Sequence, residues 1–171
     1  MARSNRQLTQ FAVDALRELL DSDVTYDTRS AGNTEVRVTP HAIDEVRYSV
    51  ELFGKEILAV TLGGQDPLVH VYTGDFYDSK GRPSRTTRER LNGLLDFLSS
   101  RQLLPEGVRV FIREDGLCCI GRKGADNYVF DESRPTKIIW ATPARVLGLE
   151  PLISPFLVKQ IPDSIIAKGL V

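Results

Sequence analysis

The sequence contains few of the residues on which covalent cross-links depend. Only two of its 171 residues are cysteines, and these two, Cys118 and Cys119, are adjacent. Neighbouring residues of a strand point to opposite faces, so a disulfide between them would need unusual geometry. Because there is no third cysteine to pair with, we expect both to be buried free thiols in a reducing compartment.

Histidine is equally scarce, and familiar catalytic motifs are absent. The two histidines are His41 and His70. A two-histidine phosphodiesterase would need a serine or threonine two residues after each histidine, but Ile43 and Tyr72 occupy those positions. The sequence also has no phosphate-binding glycine loop, no zinc-ligand spacing and no Gly-x-Ser-x-Gly motif. We therefore predict no catalytic residue, no metal ligand and no cofactor.

Long apolar runs are missing as well. No stretch approaches the run of about 18 apolar residues that a membrane-spanning helix requires. The first seven residues, Met-Ala-Arg-Ser-Asn-Arg-Gln, contain no apolar signal core. These features predict a cytoplasmic protein with no membrane partner.

Positive and negative side chains are nearly equal in number but unevenly distributed along the chain. The formal net charge is −1, which argues against non-specific binding of nucleic acid by the whole surface. Residues 1–79 contain 7 basic and 13 acidic side chains, whereas residues 80–123 contain 10 basic and 5 acidic ones. This asymmetry leaves room for a local anion-binding patch on an otherwise neutral protein.

Two segments have the apolar spacing of amphipathic helices. The first starts at a capping box formed by Ser4 and Gln7 and should end at residues 21–23. For the second, we predict a start near Thr86, with Thr86 and Glu89 as its capping box, and an end before Pro105. The predicted apolar stripes are Leu8, Phe11, Ala12, Ala15, Leu16 and Leu19 in the first helix, and Leu91, Leu94, Leu95 and Leu98 in the second.

The remaining patterns indicate strands and turns. Residues 46–52 alternate apolar and polar side chains, which is typical of a strand with one solvated face. Residues 22–33 are polar and predict a loop, and the Asp115-Gly116 pair predicts a hairpin turn between strands at 108–113 and 117–121. The predicted fold is α+β, with an antiparallel sheet of about five to seven strands and both helices on one side. We assign residues 1–141 to one domain.

The C-terminal segment, residues 142–171, is strongly apolar but interrupted by four prolines, so it cannot form one long helix. Large apolar side chains left in water would each cost about 1.5–3 kcal/mol relative to burial. The segment therefore either wraps its own domain or docks on a second copy or another protein, and both alternatives stay open. The candidate partner-binding residues are Leu149, Leu152, Ile153, Phe156 and Leu157.

A cluster of cations surrounds the start of the second helix. A helix N-terminus already carries partial positive charge, so nearby cations are unfavourable there unless an anion is present. The cluster either binds phosphates or forms local ion pairs. Arg88 and Arg90 lie roughly 200° apart around a helix, so the two cannot face one ligand. The candidate anion-binding residues are Lys80, Arg82, Arg85, Thr86, Thr87 and Arg88.

The predicted hairpin adds a second candidate surface. If Val108, Val110 and Ile112 face the core, then Arg109, Phe111 and Arg113 share the opposite face. An aromatic side chain between two arginines suits base stacking with phosphate neutralisation. Alternatively, the C-terminal segment covers Phe111.

The run Thr86-Thr87-Arg88-x-Arg90-Leu91-Asn92, which follows an apolar strand and precedes a short hairpin, resembles a segment of small uncharacterised bacteriophage and plasmid proteins. The matching region covers about residues 46–120. The resemblance implies a mobile-element accessory protein and brings no activity with it.

Two functional hypotheses follow from the sequence. The first is a non-enzymatic accessory protein that binds an anionic partner, foremost nucleic acid, through the basic helix start at residues 80–90. The second is a protein-binding module, an inhibitor of a host factor or an assembly component, that acts through the apolar C-terminal segment. If a phage encodes the protein, it would act in the cytosol of the host cell.

Overall fold

The structure, a computed structural model, describes residues 2–63, 67–72 and 77–121 in full. It also describes the backbone of residue 122 and of three strands at 127–129, 136–141 and 157–162. The described elements are α1 (Asn5–Leu20), β1 (Asp27–Ala31), β2 (Thr34–Pro40), β3 (Val46–Leu52), β4 (Lys55–Leu62), β5 (Leu68–Tyr72), α2 (Arg85–Ser100), β6 (Val108–Ile112), β7 (Cys118–Arg122), β8 (Asn127–Val129), β9 (Thr136–Ala141) and β10 (Leu157–Pro162).

The strands confirm the predicted α+β class but belong to two sheets. In the larger sheet the order is β1-β2-β3-β4-β5-β9-β10, and every recorded pairing is antiparallel. The predicted hairpin is present as β6 and β7, and together with β8 it forms a second sheet. Gly116 has a φ of +86°, a left-handed conformation that glycine adopts at little steric cost. The hairpin packs against α2.

Two predictions about the larger sheet were wrong. The segment 22–33 is not only a loop, because β1 lies within it and pairs with β2 in the register Asp27↔Val38 to Ala31↔Thr34. Three of the five β1 residues are exposed, so this edge strand lacks the apolar alternation that would have revealed it. On β3, the supposedly solvated face is partly buried: Ser49 is only 8% exposed.

A polar network occupies that face of the larger sheet. Arg47 forms an ion pair with Glu56, and its guanidinium donates a hydrogen bond to the Tyr72 hydroxyl at 2.6 Å. Burial, followed by the nearby Glu56 carboxylate, raises the pKa of Tyr72 above its ordinary value. His70 is buried beside the same guanidinium, with 3.5 Å between Arg47 Nη1 and His70 Nδ1. These contacts join β3, β4 and β5 across the face that we had expected to be solvated.

The two helices begin at serine caps. As predicted, Ser4 and Gln7 form a capping box at α1. At α2, however, the cap is Ser84, whose side chain accepts a hydrogen bond from the Thr87 backbone N–H at 3.2 Å. The predicted capping box of Thr86 and Glu89 was therefore wrong, because the N-cap lies two residues earlier, at Ser84. Ser84 has the non-helical backbone that a cap requires, with a φ of −56° and a ψ of 157°.

α1 and α2 pack side by side and run parallel. Asn5 contacts Glu89 near the start of both helices, and Arg101 reaches Asp21 at their ends. Between these points, an added Cβ on Gly93 would lie 2.4 Å from Thr9 Cγ2. The absence of a side chain at position 93 thus allows the close approach. The four predicted leucines of α2 are completely buried in the core that the helices share with the larger sheet.

Arg90 ties the two helices to the turn between β1 and β2. It is completely buried and donates hydrogen bonds to the Asn5 carbonyl, the Asn5 side-chain oxygen, the Thr9 hydroxyl and the Asn33 side-chain oxygen, at 3.1–3.4 Å. Burial lowers its pKa, because a desolvated guanidinium surrounded by neutral acceptors is less favourable than one in water. Arg90 is therefore a structural residue, and it faces away from Arg88 as the helical period predicts.

Candidate anion-binding site

The turn that precedes α2 is organised by Asp78. Its carboxylate accepts hydrogen bonds from the backbone N–H groups of Lys80 at 2.9 Å and Arg82 at 3.1 Å. It also accepts a bond from Arg82 Nε at 2.9 Å, and Gly81 closes the turn with a φ of +72°. Burial acts to raise the pKa of Asp78, but these N–H donors outweigh burial and lower it. The turn thus holds a negative charge beside the start of α2.

Arg85 is the most exposed of the four arginines at the helix start. Its side chain is 86% exposed, and its Nε donates to a Glu89 carboxylate oxygen at 2.7 Å. The carboxylate raises the pKa of Arg85, and the guanidinium lowers the pKa of Glu89. An exposed pair one helical turn apart contributes little stability, about 0.3–0.5 kcal/mol. An incoming anion could therefore displace Glu89 from Arg85 at small cost.

Arg88 is more buried than Arg85. Its side chain is only 19% exposed, and Nη2 lies 3.9 Å from an Asp78 carboxylate oxygen, a long contact. Its buried Nε has no acceptor within the part of the chain that the structure describes. A buried donor without an acceptor costs about 1–3 kcal/mol, and an anion on Arg88 would reduce that cost.

A pocket of about 370 Å³ lies between the first turns of α2 and the edge of β6. Asn92, one of its lining residues, holds β6 against α2: its side-chain amide donates to the Val110 carbonyl at 2.9 Å and accepts from the Val110 N–H at 2.7 Å. The amide thus bonds the edge of β6 as a neighbouring strand would. The pocket is lined by Arg85, Arg88, Glu89, Asn92, Val110, Phe111 and Ile112.

The pocket unites three residues from the two surfaces that the sequence had suggested separately. Arg85 and Arg88 come from the helix start, and half-buried Phe111 comes from the hairpin. Ile112, which we predicted to face the core, is 40% exposed. It is the last residue of β6, where the strand leaves the core.

The other predicted site residues lie outside the pocket. Thr87 is buried and bonded to the Ser84 cap, Thr86 is half-buried, and Lys80 is exposed on the preceding turn. On the hairpin, Arg109 lies 3.7 Å from the carboxylate of Asp96, and Arg113 pairs with Asp115. Whether the hairpin arginines and Phe111 form one binding surface stays a prediction.

Sequence reasoning missed Asn92, the residue that positions β6 against the helix. The only signal was a polar side chain set between two buried leucines, Leu91 and Leu94. It also missed that α1 and α2 are parallel, which places exposed Arg6 and the N-terminus of α1 at the same end of the molecule as Arg85. Neither helix has an acidic residue in its first turn. Both helix N-termini therefore contribute positive potential at this end.

Of the predicted partner-binding residues, Leu157 begins β10, whose backbone pairs with β9 in the register Leu157↔Ala141. The remaining four, Leu149, Leu152, Ile153 and Phe156, lie outside the described residues. The choice between self-wrapping and docking of this segment stays a prediction.

Both cysteines are free and buried, as predicted. Burial raises the pKa of Cys118 to about 11, which makes it a weak nucleophile. Across the described ranges, no group of three acidic, histidine or cysteine side chains is arranged to hold a metal. No helix in those ranges is long and apolar enough to cross a membrane. No protein-family model, no curated protein and no solved structure matches this chain.

Proposed function

We propose that this protein binds nucleic acid through the pocket between α2 and β6. The observation that carries the proposal is the placement of Arg85 and Arg88 beside Phe111 in one pocket. Guanidinium groups bind phosphate oxygens with charge-assisted hydrogen bonds, and an aromatic ring accepts an unpaired base by stacking. A pocket with both features suits a nucleotide unit better than a simple ion.

The electrostatics of the site support binding by local charge rather than by the whole surface. Arg85 is paired with a displaceable carboxylate, and Arg88 has a long contact with Asp78. The two parallel helix N-termini add positive potential at the same end. We therefore expect an interaction with few phosphates, of moderate affinity and dependent on salt.

The proposal includes a biological setting that rests on the resemblance of residues 86–92 to phage and plasmid proteins. In that setting the protein is a non-enzymatic accessory protein of a mobile element and acts in the cytoplasm of its host cell. The alternative, a protein-binding module that uses the apolar C-terminal segment, depends on residues outside the described ranges and stays a prediction.

Binding of a labelled oligonucleotide at low salt tests the proposal. The variant Arg85→Ala/Arg88→Ala should bind roughly tenfold more weakly than the parent, because two charge-assisted contacts are lost. The matched control is Arg17→Ala/Arg29→Ala, which removes the same charge from two paired arginines elsewhere on the surface. If the parent does not bind, or if both double variants lose affinity equally, the pocket is not the site.

A further inference from the structure

The first strand of the larger sheet has one open backbone edge. β1 pairs with β2, and no other described strand pairs with it. Ala31 and Thr34 close a hairpin loop of two residues, so these two residues form a hydrogen-bonded pair. Because hydrogen-bonded and non-hydrogen-bonded pairs alternate along an antiparallel ladder, every second residue back from Ala31 directs its N–H at β2. The N–H groups of Thr28 and Ser30 therefore point to the open edge.

One of these two outward N–H groups is occupied by a side chain of the same strand. The Thr28 N–H donates to a carboxylate oxygen of Asp27 at 2.8 Å, and Arg29 Nε donates to the other oxygen at 3.0 Å. Arg29 is in turn paired with Glu18 of α1, at 2.7 Å. The bonds from Arg29 and from Thr28 lower the pKa of Asp27, so its carboxylate is charged at neutral pH. A fixed negative charge thus lies at the open edge of β1.

Without this carboxylate, the edge would be a template for pairing with another chain. Two copies of β1 would pair antiparallel about a two-fold axis at Thr28, where the Thr28 N–H of each copy donates to the Thr28 carbonyl of the other. Tyr26, the residue before the strand, is 76% exposed and would add apolar area to such an interface. With the Asp27 carboxylate on the Thr28 N–H, however, an incoming carbonyl meets a second acceptor instead of a donor.

We propose that Asp27 prevents the edge of β1 from pairing with a second copy of the chain. Its carboxylate acts in two ways, because it occupies a backbone donor and places a charge where the neighbouring strand would lie. Arg29 and its partner Glu18 hold the carboxylate in this position. The proposal is independent of nucleic-acid binding, since none of these residues lines the pocket between α2 and β6.

The variant Asp27→Ala frees the Thr28 N–H and removes the charge. In sedimentation equilibrium, Asp27→Ala should associate about tenfold more tightly than the parent, because the two-fold pairing gains one hydrogen bond from each copy. The matched control is Asp14→Ala, which removes a surface carboxylate that also pairs with an arginine but lies on α1. The control should associate no more than the parent. An equal increase in both variants would attribute association to net charge and overturn the proposal.

The variant Thr28→Pro distinguishes edge pairing from association caused by misfolding. Proline has no N–H to donate and is tolerated on an edge strand where the N–H faces solvent. Asp27→Ala/Thr28→Pro should therefore return to the association of the parent, which a merely destabilised protein would not do. Association of Asp27→Ala equal to that of the parent, or association that persists in the double variant, overturns the proposal. Loss of association of the parent on Thr28→Pro also overturns it, because the edge would then already be paired.

Discussion

The substitution Gly93→Ala examines the close helix packing that positions the pocket. Alanine is favoured over glycine within a helix by about 0.5–1 kcal/mol, and nothing in the backbone of Gly93 opposes this gain. The new Cβ, however, would lie 2.4 Å from Thr9 Cγ2, a distance that the packing cannot accommodate without movement. Overpacking of this kind costs about 1–3 kcal/mol. We expect a net loss of about 1 kcal/mol in the free energy of unfolding.

The sign of the effect should reverse when Thr9 is changed to serine. Thr9→Ser removes Cγ2 but keeps the hydroxyl that accepts a hydrogen bond from Arg90. The next nearest atoms to the added Cβ are then Val13 Cγ2 at 3.7 Å and Thr9 Cβ at 3.9 Å, which are ordinary contacts. In the Thr9→Ser background, Gly93→Ala should therefore stabilise the protein by about 0.5–1 kcal/mol.

Urea denaturation of the parent, the two single variants and the double variant gives a complete double-mutant cycle for Thr9 and Gly93. The expected coupling energy is about 2 kcal/mol, within the range seen for residues in direct contact. The denaturant dependence should be the same for all four proteins, since the surface exposed on unfolding hardly changes. An increase in stability with Gly93→Ala in the parent, or the same effect in both backgrounds, would refute the parallel packing of α1 on α2.

Two further predictions concern the pocket and the turn before it. Asn92→Ala should destabilise the protein by about 1–3 kcal/mol in urea denaturation, because the Val110 N–H and C=O lose their partner. The stability of Asn92→Asp should lie between those of Asn92→Ala and the parent. Equal stability of Asn92→Ala and the parent would contradict this assignment. Folding lowers the pKa of Asp78, so its carboxylate stabilises the protein at pH values above 3.8, the ordinary pKa of an aspartate. This contribution is lost as the pH falls through the lowered pKa. The difference in urea midpoint between the parent and Asp78→Asn should therefore shrink in acid; a difference independent of pH would argue against it.

The helices were predictable because their signals are local. The capping box at Ser4 and the leucine stripe of α2 are readable from short windows, and both are present. The start of α2 was misplaced because Ser84 and Thr86 are both residue types that cap helices, and the sequence alone does not show which of the two has the non-helical backbone of a cap. β1 escaped prediction because its exposed edge residues carry no apolar period.

The site was predictable only in part, because its assembly depends on tertiary contacts. Composition identified Arg85 and Arg88, but not that Phe111 would lie beside them. That juxtaposition follows from the Asn92 amide, which holds β6 against α2. Likewise, the helical period set Arg90 on the side opposite Arg88, but no local signal predicted that Arg90 would be buried between the helices. Its role depends on acceptors that are distant in sequence, such as Asn33.

The salt dependence of oligonucleotide binding tests the central claim most directly. The logarithm of the association constant should fall linearly with the logarithm of salt concentration, with a slope of about −0.7 for each phosphate neutralised on a single strand. Replacing Arg85 and Arg88 together should flatten the slope by about 1.4, while the Arg17→Ala/Arg29→Ala control keeps the parental slope. Equal slopes for the parent and the Arg85→Ala/Arg88→Ala variant would show that these arginines hold no phosphate and would contradict the account.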